Sequence, residues 1–145
     1  MKNIITALFA AAFMLPVVAE EKGFTSLFDG KTLKGWDGKK EFWSVQDGAI
    51  QGKTTKETPT KGNTFIIWKG GTVTDFELKF EYRFLTKSGN SGCQYRSEDM
   101  GNNVVKGYQG DFEAGTRFSG INYGEKTGRG ILADRGTKTT LGNGK

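Results

Sequence analysis

Apolar and polar positions alternate most strictly over residues 75–84. Phe76, Leu78, Phe80, Tyr82 and Phe84 take every second place, with Glu77, Lys79, Glu81 and Arg83 between them. A period of two marks a strand with one covered and one wet face. Burying each large side chain contributes roughly 1.5–3 kcal/mol, so this strand is expected to anchor the core. Residues 42–46 and 49–52 flank Asp47-Gly48, a strong hairpin signal. Residues 65–68 read as a short strand closed by Gly70-Gly71. Residues 92–97 and 108–113 read as two more, joined by a polar loop around Gly101-Asn102-Asn103. Residues 54–63 are polar, include Pro59 and read as a surface loop. No long amphipathic helix pattern and no internal repeat is present. Short strands joined by glycine-rich turns predict an all-β fold, an antiparallel two-sheet sandwich of jelly-roll type.

The first 19 residues follow a different pattern. Lys2 is their one charge, residues 4–18 are apolar apart from Thr6 and Pro16, and Val17-Val18-Ala19 sets small side chains before Glu20-Glu21. These are the three parts of a secretory signal. The apolar run falls short of the roughly 20 residues a spanning helix needs. Residues 1–19 are therefore expected to be a cleaved signal peptide. Residues 20–145 are expected to form a single β-sandwich domain, secreted or periplasmic. No later stretch is long and apolar enough for membrane insertion once the signal is removed, and no Cys stands directly after the apolar run for lipid attachment.

Composition narrows the chemistry. The formal charge is +5, but the lysines are scattered with acids among them. That reads as a solvated surface and not as a clustered nucleic-acid patch. Cys93 is the single cysteine, which excludes an intrachain disulfide and reads as a small buried residue. Histidine is absent, which excludes Ser-His-Asp triads, Cys-His dyads and His-ligated zinc. Acid–base work falls to Asp, Glu, Tyr, Lys or water. No cofactor is expected, and a metal, where present, would be oxygen-ligated calcium or magnesium.

On a strand over residues 108–113, Gln109, Asp111 and Glu113 share one face, and Tyr108, Gly110 and Phe112 the other. Carboxylates two residues apart stand roughly 6.5–7 Å from each other at the backbone. Side chains can bring that pair within the range that glycoside-cleaving acids use. Gln94, Arg96 and Glu98 share a face of the neighbouring strand, so pairing would set Arg96 against Asp111 or Glu113. One reading is a polar floor that binds sugar hydroxyls. The other is solvated acids and a surface ion pair contributing roughly 0–1 kcal/mol. Trp36, Trp43, Trp68, Tyr95 and Tyr123 are candidate stacking platforms, although Trp43 and Trp68 read first as core residues, since large aromatics dominate cores.

Gly23-Phe24-Thr25-Ser26-Leu27-Phe28-Asp29-Gly30-Lys31-Thr32-Leu33-Lys34-Gly35-Trp36 resembles the opening of the bacterial 3-keto-disaccharide hydrolase family. The resemblance continues through Phe42-Trp43-Ser44-Val45-Gln46-Asp47-Gly48-Ala49-Ile50 and through residues 75–83. It resumes at Gly89-Asn90-Ser91-Gly92, Arg96 and Gly107-Tyr108-Gln109, with the blocks in family order. It implies a concanavalin-A-like jelly roll and an exported enzyme that cleaves glycosides already oxidised at C3, with a carbohydrate as substrate. On that implication Asp111 and Glu113 supply base and acid, in either order, Arg96 and Gln109 are donors, Tyr108 supports them and Gln94 joins the substrate floor. Members of the family run on past the position of Lys145, which implies further strands. A non-catalytic carbohydrate-binding module and a structural envelope domain stand as alternative readings of the same sandwich.

Overall fold

The computed structural model describes residues 22–138 and arranges them in strands and turns, with no helix among them. The expected signal peptide, residues 1–19, lies outside the described residues, as does the end of the glycine-rich tail. The strands are β1 (Trp36–Asp37), β2 (Trp43–Gln46), β3 (Ala49–Gly52), β4 (Ile67–Trp68), β5 (Asn90–Asp99), β6 (Val105–Glu113), β7 (Asn122–Glu125) and β8 (Gly130–Ala133). Every pairing is antiparallel: β1 with β4, β2 with β3, and a four-stranded meander in the order β5-β6-β7-β8. The all-β antiparallel class read from the sequence is the class observed, in keeping with a jelly-roll sandwich.

The β2–β3 hairpin forms where Asp47-Gly48 predicts it. Both residues hold positive φ, 51° and 75°, the combination whose twist matches the flanking strands. Further on, Phe65 N–H donates to the Asn103 carbonyl at 3.0 Å, and Asn103 Nδ2 donates to the Asp37 carbonyl at 3.2 Å. These bonds tie β1 and the stretch before β4 to the turn between β5 and β6, while Asn63, at the end of the predicted polar loop of residues 54–63, donates to Glu125 of β7. Phe42, Val105 and Ile121 are the buried apolar side chains among the described residues.

Residues 75–84 depart from expectation. Among the described residues no ladder pairs them with a neighbour. The rings of Phe80, Tyr82 and Phe84 gather around Phe112, with Tyr82 stacked on it at 4.2 Å. The alternation is therefore used, and one face of the segment turns toward the sheet. Phe76, Leu78, Phe80 and Tyr82 nevertheless stay 42–54% exposed. A period-two pattern reports which face is apolar. It does not supply the neighbouring strand that would complete a ladder.

Asp29, in the opening block, closes a local turn. Its Oδ1 accepts the backbone N–H groups of Lys31 at 2.8 Å and Thr32 at 2.6 Å, and its Oδ2 accepts the Thr32 hydroxyl at 2.6 Å. The Thr32 side chain, followed by these backbone donors, draws the carboxyl from 3.8 down to about 2. A folded-state value below the unfolded one favours the turn fully above 3.8, and that contribution fades as pH falls through 2. We expect the Asp29 carboxyl carbon to titrate near pH 2 by NMR, and Thr32→Ala to move the midpoint back toward 3.8. A wild-type midpoint at 3.8 would contradict the turn.

Candidate active site

Register decides which side chains meet. Pairing of β5 with β6 sets Asn90 opposite Glu113, Gly92 opposite Asp111 and Gln94 opposite Gln109. Pairing of β6 with β7 sets Gln109 opposite Tyr123 and Gly107 opposite Glu125. Alternation then gives one sheet face to Asn90, Gln94, Gln109, Asp111, Tyr123 and Glu125. The opposite face carries Tyr95, Tyr108 and Phe112, with the two tyrosine rings 5.9 Å apart.

The polar face opens into a cavity of about 260 Å³, room for one sugar ring. Asn63, Asn90, Gln109, Asp111, Tyr123 and Glu125 line it, and Phe118, Ile121 and Ile131 supply an apolar wall. Gln109 and Glu125 are the buried polar side chains among the described residues, each 6% exposed. Both belong to this one cavity. Burying an amide and a carboxyl is costly unless they are bonded, and here they are.

Ser97 Oγ donates to Gln94 Oε1 at 2.8 Å, Gln94 Nε2 to Gln109 Oε1 at 2.8 Å, and Gln109 Nε2 to Asp111 Oδ1 at 2.7 Å. The chain fixes the orientation of each amide and delivers a donor to Asp111. Asn90 Nδ2 approaches the second carboxylate oxygen, Oδ2, at 3.5 Å. Glu125 accepts one bond, from Asn63 Nδ2 to Oε2 at 2.9 Å. Its Oε1 has no protein partner among the described residues. No group of three or more His, Cys, Asp or Glu side chains gathers in metal-binding fashion among the described residues.

The residues singled out from sequence do not all meet at one place. Asp111 and Gln109 line the cavity, and Gln94 stands one hydrogen bond behind Gln109. Tyr108 lies on the opposite face against Tyr95. Glu113 shares the polar face at the end of β6, but its Oε1 accepts the backbone N–H of Phe118 at 2.6 Å and that of Arg117. It therefore closes the loop of residues 114–119. Arg96 does not reach Asp111 or Glu113. The register shifts between Tyr95 and Glu98, Arg96 takes a φ of 47°, and its guanidinium lies 3.4 Å from Asp75 on the exposed surface. A bulge re-aims the side chains that follow strict alternation elsewhere. Gly107 permits it, since a Cβ there would sit 2.6 Å from Ser97 Cα.

Among the candidate stacking rings, Tyr123 lines the cavity; Trp36 and Trp68 face each other across the β1–β4 ladder, and Trp43 packs over Gly52. Cys93 is half-buried, and burial pushes its thiol up, away from nucleophilic use. Glu125 and Asn63 are absent from the residues the sequence singled out. Tyr123-Gly124-Glu125 carries the same polar i, i+2 spacing as Gln109-Gly110-Asp111, and that was the signal available for Glu125. Asn63 comes from a loop, where spacing carries no such signal.

Gly92 clears the space Gln109 occupies. A Cβ at position 92 would lie 2.5 Å from Gln109 Cγ and Cδ. We expect Gly92→Ala to push the Gln109 side chain off Asp111 and lower turnover about tenfold, the effect of losing roughly one charge-assisted hydrogen bond. The fold should persist by circular dichroism. Full turnover in Gly92→Ala would show that the amide chain is dispensable.

A family model described as the 3-keto-alpha-glucoside-1,2-lyase-like domain matches residues 23–141. A protein of Bacteroides thetaiotaomicron (strain VPI-5482) named 3-keto-disaccharide hydrolase is 30% identical over 110 residues, covering 66% of this chain and 36% of its own length. The chain thus spans little more than a third of that relative. No solved structure matches the chain.

Proposed function

The chain belongs to the 3-keto-alpha-glucoside-1,2-lyase-like family, and from that membership we propose that it is an exported enzyme cleaving the glycosidic bond of 3-keto-disaccharides. The observation that carries the proposal is the convergence of Asp111, Gln109 and Glu125 on one cavity, the last two being the buried polar side chains among the described residues. The name of the Bacteroides relative supports hydrolase-like chemistry on such sugars.

A ketone at C3 acidifies the hydrogen on C2. A base takes that proton, and the electron pair moves onto O3 as an enolate. The enolate then collapses, the bond from C1 to the leaving oxygen breaks, and that oxygen takes a proton. The product at this stage is an enone, the outcome of a 1,2-lyase. Addition of water, hydroxyl to C1 and proton to C2, completes a hydrolysis. Such chemistry asks for a base, donors to the enolate oxygen and an acid.

Asp111 suits the base. Amide donors hold both its oxygens on the cavity side, the setting of a carboxylate aimed at a proton. Asn90 and Tyr123 line the same cavity and carry donor groups suited to the developing enolate. Glu125 suits the acid, because it lines the cavity and Asn63 holds one of its oxygens while the other has no protein partner among the described residues. By register, four residues of strand separate Asp111 from the position opposite Glu125, roughly 13 Å at the backbone.

The direct test is turnover by the full chain. A 3-keto-disaccharide such as 3-keto-trehalose should release 3-keto-glucose, and unoxidised trehalose should not react. Binding of either sugar without release of product would instead favour a carbohydrate-binding module.

A further inference from the structure

A second cavity, of about 240 Å³, adjoins the first and shares Asn63 with it. Lys39, Lys61 and Lys126 stand around it with Thr60, Thr64 and Asn102. No carboxylate lines it. None of the three ammonium groups makes an ion pair among the described residues. Thr64 also lines the cavity, with its hydroxyl closed off from solvent and without a hydrogen-bond partner among the described residues. Lys126 holds a φ of 53° and Asn102 one of 55°, a left-handed backbone that lysine rarely adopts. Three lysines with no ion pair among the described residues, and no acid beside them in the cavity lining, make a receptor for an anion.

We infer that this second cavity binds an anionic group, a carboxylate or a phosphate, carried by the leaving sugar of the substrate. The inference rests on reading the first cavity as the glycoside site. Asn63 is the link, because it lines both cavities and holds Glu125 in the first. A leaving oxygen protonated by Glu125 therefore departs beside the lysines. Substrates whose leaving residue is a uronic acid or a sugar phosphate would be preferred over neutral disaccharides. The interaction is electrostatic, so added salt should erode the preference.

The test compares three 3-keto-glucosides that differ in the leaving residue: glucose, glucuronate and glucose 6-phosphate. The anionic pair should show kcat/KM about tenfold above the neutral one, the value of one good charge-assisted contact. The better of the two identifies the anion as carboxylate or phosphate. Lys61→Gln combined with Lys126→Gln should bring the ratio close to one, as should 0.5 M sodium chloride. Thr64→Val removes a hydroxyl already closed off from the cavity and should leave the anionic preference intact, with thermal stability equal or higher. In parallel, inorganic phosphate and glucuronate are titrated into the labelled protein, and the amide signals of Thr64 and Asn102 are followed by NMR. Equal kcat/KM for all three substrates, with no shift at Thr64, would overturn the inference while leaving the glycoside reading intact. Saturable shifts at Thr64 without turnover of any 3-keto-glycoside would uphold the anion site and sink the glycoside reading.

Discussion

Asp111→Asn is expected to lower kcat on a 3-keto-disaccharide by about 10²- to 10⁴-fold, the usual contribution of a positioned general base. The substitution keeps the volume of the side chain and one acceptor oxygen. Gln109 Nε2, now 2.7 Å from Oδ1, can still donate to the Asn carbonyl. The chain from Ser97 through Gln94 and Gln109 therefore survives, and the melting temperature should move little. What is lost is the capacity to accept the C2 proton. Substrate affinity should change far less than kcat. A large loss of stability, or unchanged turnover, would each take the base away from Asp111.

Glu125→Gln separates acid from base. The acid is needed only as far as the leaving oxygen is a poor one. With a sugar as leaving group, kcat should fall about 10²- to 10⁴-fold. With a p-nitrophenyl 3-keto-glucoside, whose phenolate leaves without protonation, the loss should nearly vanish. Asp111→Asn should be equally damaging with both substrates, because C2 must be deprotonated in either case. Equal losses for Glu125→Gln on the two substrates would give Glu125 a different role, either as the base or as a structural group buried against Asn63.

These two residues differ in how visible they are in the sequence. Asp111 and Gln109 follow from alternation alone, since a strand over residues 108–113 must put them on one face. Gln94 follows in the same way once its strand is aligned with theirs. Glu125 sits on a four-residue strand, Asn122–Glu125, too short to stand out beside the aromatic alternation of residues 75–84. Its burial arises from pairing with β6 and from a loop contact 62 residues away in sequence. Arg96 fails for the opposite reason. The local pattern is regular, but the chain inserts a bulge there, and a bulge leaves no fixed trace in hydrophobic spacing. Glu113 keeps the predicted face yet serves backbone N–H groups of its own loop, donors that come into being only when the turn folds. The hairpin at Asp47-Gly48 was fully legible because the residues themselves favour positive φ.

The resemblance read from the sequence blocks and the family match cover nearly the same span, the latter residues 23–141. The geometry adds to both by gathering Asn63, Asp111 and Glu125 around one cavity, with Arg96 and Glu113 engaged elsewhere.

The most direct test of the account is the fate of the hydrogen on C2. A 3-keto-disaccharide carrying deuterium at that carbon should be cleaved with a kcat/KM clearly below that of the unlabelled sugar. In early samples, the released 3-keto-glucose should have lost the label to solvent. Cleavage at an unchanged rate, with deuterium retained at C2 of the product, would mean that the glycosidic bond breaks without proton abstraction, and would contradict the mechanism.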